Sequence, residues 1–105
     1  MNATPMPVSS EAHLVTAAAS RYLAQLCKHF QHRLPVTLEA ARGRIDFPAG
    51  VCELDAATHP GELILRVSAG DEAGVAALKD VVARHLVRFA FRDELAVDWT
   101  RIDRN

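Results

Sequence analysis

The sequence has little of what small proteins use for dedicated chemistry. Its 105 residues include two cysteines, one tryptophan and one tyrosine. Cys27 and Cys52 make neither a disulfide framework nor a four-thiolate zinc site, so a hydrophobic core has to hold the chain. Neither sign of charge dominates: 12 Lys and Arg stand against 13 Asp and Glu, a formal net charge of −1. A general nucleic-acid binder needs a surplus of cations to displace counterions, so nucleic acid is not an expected partner. No apolar run approaches the roughly 18 residues that a membrane helix needs. Met1 to Ser20 carries no basic leader and is interrupted by Glu11 and His13, so neither a signal peptide nor a membrane partner is expected. There is no glycine-rich phosphate loop, no Gly-x-Ser-x-Gly elbow and no His-Glu-x-x-His helix. The chain reads as a cytoplasmic protein with reduced thiols, with no cofactor, no metal and no catalytic residue expected.

What is present is ordinary globular composition, half apolar and 24% charged, at a length that suits one domain. Residues 1–10, with two prolines, read as a flexible tail; 11–100 form the domain and 101–105 a second tail. Ala12–Ala17 reads as a short strand with His13, Val15 and Ala17 on one face. Ser20 is positioned to cap a helix that runs to about Arg33 and stops before Pro35. At helical spacing Leu23, Leu26, Cys27 and Phe30 make its core stripe, Lys28 and His32 point away, and Tyr22, Gln25, His29 and Arg33 run along one flank.

Four strand-like runs follow, at Val36–Ala40, Arg44–Phe47, Val51–Asp55 and Glu62–Ser68, each alternating apolar and charged residues. Gly43 stands in the first link, where a tight hairpin needs positive φ, and Pro48-Ala49-Gly50 supplies the second. Asp71 opens a second helix with an apolar stripe of Val75, Leu78, Val82, Leu86 and Phe89, bordered by His85. Leu95–Trp99 reads as a last strand with Leu95, Val97 and Trp99 inward. Two helices cannot cover both faces of so plainly alternating a sheet. The expected fold is a two-layer α+β sandwich in the order β-α-β-β-β-β-α-β, its mainly antiparallel sheet covered by helices on one face.

The segment Leu26 to Pro35 places Cys27, His29 and His32 within six residues, which invites a metal reading. Helical spacing separates them: Cys27 goes to the core and only His29 and His32 share a side, short of the three or four ligands that zinc takes. A catalytic thiol is no better supported, since Cys27 and Cys52 both point inward. Arg84, Arg88 and Arg92 beside His85 form a row that suits an anion but is also what a solvated helix face looks like. The open sheet face is expected to carry Thr37, Glu39, Arg44, Asp46, Glu53, Asp55, Arg66 and Asp98. Mixed charges on neighbouring strands fit a protein partner or a homodimer, with Glu39, Arg44, Asp46, Glu53 and Arg66 as the contact residues.

Several blocks resemble a known family. Ser20-Arg21-Tyr22-Leu23, Leu26-Cys27-Lys28-His29-Phe30, Arg44-Ile45-Asp46-Phe47 and Cys52-Glu53-Leu54 are similar to a bacterial domain-of-unknown-function family, number 2218. Val81 to Leu86, Arg88 to Leu95 and Val97-Asp98-Trp99 extend the likeness over about Ser10 to Trp99. The resemblance implies no established activity and no established functional residue. It suggests an accessory role linked to siderophore or iron handling, because relatives accompany siderophore-interacting flavin reductase-like proteins. The expected function is a small binding or accessory domain without intrinsic catalysis. Tyr22, His29, Arg33, His85 and Arg88 are the expected ligand site, between helices and sheet. The alternative is a metal-handling protein or small enzyme using His29 with His85 or Cys27.

Overall fold

The computed structural model describes residues 8–90 and 97–102. Eight elements follow in the order β1 (Val8–Val15), α1 (Ala19–Phe30), β2 (Val36–Glu39), β3 (Arg42–Phe47), β4 (Gly50–Asp55), β5 (Glu62–Ala69), α2 (Glu72–Phe89) and β6 (Thr100–Ile102). The strands form one sheet in the order β2-β3-β4-β5-β1-β6, and every neighbouring pair is antiparallel. It follows that β1 and β2 run the same way, as do β5 and β6, and a helix makes each of these two crossovers. The fold is the expected α+β sandwich with one open sheet face.

Alternation along each strand divides the sheet into a dry face and a wet one, because successive side chains point to opposite sides. Val36, Ile45, Cys52, Val67 and Ser10 lie in register across the dry face, and Leu38, Gly43, Leu54, Leu65 and Ala12 form the next row. Against them α1 buries Ala19, Tyr22, Leu23, Leu26 and Cys27, and α2 buries Val75, Leu78, Val82 and Leu86. Both helices present three- and four-residue spacing, which concentrates apolar side chains on one stripe. α1 packs chiefly on β3 and β2, while α2 rests on β5 and β4.

Glycine admits the close approach of α1. A Cβ at Gly43 would stand 2.6 Å from the Cys27 sulfur and 3.5 Å from Leu23 Cδ2. Gly43 therefore does not supply the hairpin's positive φ, as its place in the sequence suggests. That task falls to Ala40, at φ 52°, in a two-residue turn closed by the pairing of Glu39 with Arg42.

Other boundaries also move. β1 starts at Val8 and takes in Ser9 and Ser10, which the sequence places in a tail, and it stops at Val15. Ser20 does not cap α1. The Ala18 amide donates to Thr16 Oγ1 at 3.1 Å, and the helix begins from Ala18 with no side-chain cap. α1 ends at Phe30, and Arg33 and Leu34 close a tighter turn by donating to the Phe30 carbonyl. Asp71 does cap α2, its Oδ1 accepting from the Gly74 amide at 2.8 Å.

The last strand falls at Thr100–Ile102, and residues 97–99 of the expected Leu95–Trp99 strand lie outside it, so it reaches into the expected C-terminal tail. Leu95 lies outside the described residues. Val97 and Trp99 do pack against the core, though without a ladder. The apolar alternation there reports which side chains are packed, and backbone pairing with β1 begins only at the β-branched Thr100. Among the described residues no helix is long and apolar enough to cross a membrane.

Gly50 is the least replaceable glycine, since a Cβ there would lie 2.0 Å from the Ser68 carbonyl oxygen and 3.0 Å from Ala69 Cα. Gly50→Ala is expected to cost about 1–3 kcal/mol in urea unfolding, because backbone has to shift. Gly70, with nothing within 4 Å of its notional Cβ, is the control. Gly70→Ala is expected to leave stability unchanged or slightly raised. Equal destabilisation of the two variants would contradict this packing.

Candidate functional site

Two surfaces bring together the side chains that the sequence singles out. The first is the wet sheet face. Thr37, Arg44, Glu53, Arg66, Glu11 and Thr100 stand directly opposite one another in register, so that one row crosses all six strands with alternating charge. Glu39, Arg42, Asp55, Ile64 and His13 form the neighbouring row.

The register does not decide which charges pair. Arg66 turns toward β1, where its Nε and one terminal nitrogen both donate to Glu11 Oε2 at 3.1 and 2.9 Å. Arg44 turns along its own strand, and its Nε donates to Asp46 Oδ1 at 3.0 Å. The Glu53 carboxylate, flanked by both guanidiniums in the row, is left with no hydrogen bond or ion pair among the described residues, as is that of Glu39. A cavity of about 330 Å³ opens beside Glu53, lined also by Glu11, Asp55, Arg42, Arg66 and Ile64.

His13 extends this network. Its Nε2 lies 2.9 Å from Glu11 Oε1 and its Nδ1 3.1 Å from Glu62 Oε1. Carboxylates only accept, so both nitrogens donate when the ring is protonated. The bonds to Glu11 and Glu62 raise the His13 pKa above its ordinary 6.5. His13 in turn, with Arg66, holds Glu11 below the usual carboxylate range despite partial burial. Asp55 ends β4 in a side-chain turn, accepting from the Ala57 and Thr58 amides at 2.7 and 2.9 Å and from the Thr58 hydroxyl. Burial opposes its ionisation, but these donors and nearby Arg42 bring its pKa down to about 2. Asp98 is exposed just before β6, where with Glu11, His13 and Thr100 it lines a second cleft of about 420 Å³.

The second surface lies where the end of α1 meets α2. The His29 and His85 rings converge at 4.6 Å between centroids, tilted by 46°. Phe89 and Phe30 meet His29 edge-on at 5.5 and 5.0 Å, and Phe30 also meets His85 at 5.0 Å and Phe47 at 5.2 Å. His85 Nδ1 lies 2.7 Å from the Val81 carbonyl oxygen. A carbonyl only accepts, so Nδ1 carries the proton and Nε2 is the nitrogen left for a ligand. Crowding by these rings lowers the His29 pKa, and electrostatic interaction with His85, Arg88, Arg33 and His32 lowers it further.

Of the expected ligand residues, His29 and His85 meet, and Arg33 and Arg88 both act electrostatically on His29. Tyr22 does not belong to this surface. Its side chain is buried in the core, with the Arg21 guanidinium 5.9 Å from the ring centroid. The core stripe of α1 is wide enough to include position 22 along with 19, 23, 26 and 27, which moves it off the flank. Cys27 is fully buried against Gly43, on the other side of α1 from His29, and burial raises its pKa. Cys52 is likewise buried and its pKa strongly raised, so both thiols are poor nucleophiles. Among the described residues no group of three or more His, Cys, Asp and Glu is placed to hold a metal ion. Arg84 pairs with Asp80 at 3.0 Å, and Arg92 lies outside the described residues.

The register makes the charge row legible once pairing is known. The unpaired state of Glu53 was not legible, because it depends on which neighbour each guanidinium selects. The chain also has relatives among known proteins. A family model described as an uncharacterized protein conserved in bacteria, DUF2218, matches residues 11–100. The chain is similar to a solved structure titled "NMR structure of PA4090 from Pseudomonas aeruginosa", at 39% identity, TM-score 0.74, with 89% of this chain and 95% of that chain covered. No curated protein matches.

The His13 network makes a prediction about pH. A raised folded-state pKa means that the stabilisation by His13 is fully present below the ordinary value of 6.5 and is lost as pH rises through the folded value. Urea unfolding of the wild type and His13→Gln across about pH 5 to 9 is therefore expected to show the wild type favoured at the acid end and the difference closing toward the alkaline end. A difference that is constant or grows with pH would contradict the network.

Proposed function

We propose that this member of DUF2218, the uncharacterised bacterial family to which the chain belongs, is a small accessory domain that docks a protein partner through its open sheet face, without catalysis of its own. The partner is a protein presenting a basic surface. Support comes first from Glu53, an exposed carboxylate near the middle of the face whose two neighbouring arginines are committed elsewhere. The surrounding balance agrees. Carboxylates at Glu11, Glu39, Asp46, Glu53, Asp55 and Glu62 outnumber the guanidiniums at Arg42, Arg44 and Arg66. Such a surface gains little from its internal exposed pairs, each worth about 0–1 kcal/mol. It gains more as a steering and register element toward a partner of opposite sign.

The large exposed apolar side chains among the described residues are Val15, Leu38 and Val87. They are scattered, which argues for an electrostatically steered contact over an obligate apolar one. A link to siderophore or iron handling rests on the family resemblance alone.

The test is an NMR titration with a lysine- and arginine-rich peptide at low salt. Amide shifts are expected to cluster on β3, β4, β5 and β1. Glu53→Gln is expected to weaken binding about threefold or more, in line with the loss of one charge-assisted contact. Asp80→Asn, on the outer face of α2, is the control for net charge. Equal weakening by Asp80→Asn, or shifts on the helix layer, would refute a site on the sheet. Shifts at the same residues that depend on the concentration of the protein alone would identify a second copy as the occupant and overturn the basic partner.

A further inference from the structure

We propose that His29 and His85, with Arg33 and Arg88, form a binding site for a phosphomonoester where the end of α1 meets α2. This site is separate from the sheet face and does not depend on the function proposed for it. The first observation is the convergence of two imidazoles from different helices at 4.6 Å. One of them is oriented by the bond from its Nδ1 to the Val81 carbonyl oxygen, which leaves Nε2 as the nitrogen free for a ligand. The second is the distribution of ion pairs. Arg42, Arg44, Arg66, Arg84 and Arg101 each reach a carboxylate. Arg33 and Arg88, both close enough to act on His29, have none among the described residues.

The ligand class follows from the donors. Among the described residues, the groups that act on His29 are His32 and Arg33 from its own end of the helix and His85 and Arg88 from α2, all of them neutral or positive. Among the described residues a cation finds two imidazoles, no third ligand and two repelling guanidiniums there. Among the described residues an anion finds two guanidinium forks, with His85 Nε2 as a further donor when that ring is protonated. A carboxylate has two oxygens and is satisfied by a single guanidinium fork, whereas a phosphate group has enough oxygens for two forks and an imidazole. Phe89, edge-on to His29 at 5.5 Å, gives an apolar shoulder on which the organic part of an ester rests.

The imidazole signals report the site directly. Titration with phenyl phosphate at constant ionic strength is expected to move the His29 and His85 ring resonances saturably while those of His13 and His59 stay in place. Inorganic phosphate is expected to act at the same resonances several-fold more weakly, for want of the ring that meets Phe89. The double variant Arg33→Gln with Arg88→Gln is expected to bind phenyl phosphate about tenfold more weakly or worse, through loss of charge-assisted bonds. Its unfolding curve should match the wild type, because both side chains are exposed. Shifts that sodium chloride reproduces, or binding unchanged in the double variant, would overturn the site. Equal affinity for inorganic phosphate would overturn the ester as its ligand.

Discussion

Everything that the helix layer presents depends on how closely α1 sits on β3. The Cys27 thiol occupies the space where any other residue at position 43 would carry a Cβ. Interiors are packed at nearly crystalline density, so a contact of this kind fixes the height and rotation of a helix and does not merely permit them. With Cys27 and Leu23 held against Gly43, Phe30 is carried one turn further along α1 to meet Phe47 of β3. His29 then faces α2, where His85 and Phe89 complete the aromatic group. A cysteine whose neighbours invite a metal reading in the sequence is thus a spacer of the right size, small, apolar and inert.

The sheet contributes a different constraint. Its antiparallel pairing gives each dry row a wet row on the opposite side, and the helices cover only one of them. Charges therefore gather on the uncovered face in fixed cross-strand register, where they choose partners by side-chain geometry. Arg66 spans to Glu11 and draws in His13, which in turn reaches Glu62. That choice isolates Glu53. The two surfaces consequently differ in sign: the sheet face has spare carboxylates, and the junction of α1 with α2 has spare guanidiniums. Under the two proposals, an anionic ligand and a basic partner would occupy opposite layers of the domain.

Much of this fold is legible in the sequence because periodicity reports burial directly. The stripes Leu23, Leu26, Cys27 and Val75, Leu78, Val82, Leu86, and the alternation from Val36 to Ser68, lead to the right layers and the right open face. What differs is local and has local causes. Ser20 looks like a cap, but Thr16 holds the Ala18 amide and starts the helix earlier. Gly43 looks like a turn residue, but its lack of a side chain serves packing while Ala40 takes the positive φ. Tyr22 looks like a boundary residue because helical spacing lines it up with Gln25, His29 and Arg33, yet its ring falls within the core stripe. The last strand lies further along the chain because Val97 and Trp99 are packed without being paired. Of the site, periodicity brings His29 to a flank and His85 to the border of a stripe. Their meeting depends on the angle between two helices, which no spacing within either one encodes.

The seat of α1 over Gly43 delivers His29 to His85. Nuclear Overhauser spectra of the imidazole ring protons test it most directly, since the effect fades within about the first shell of packed neighbours. Cross-peaks are expected between the His29 and His85 rings, and between Phe30 and Phe47, at the centroid separations of 4.6 and 5.2 Å. They are expected to weaken together in Gly43→Val, in a variant that still shows the sheet's cross-strand cross-peaks. Absence of the His29–His85 cross-peak in the wild type would contradict the account. So would its persistence in Gly43→Val when the Phe30–Phe47 cross-peak has disappeared.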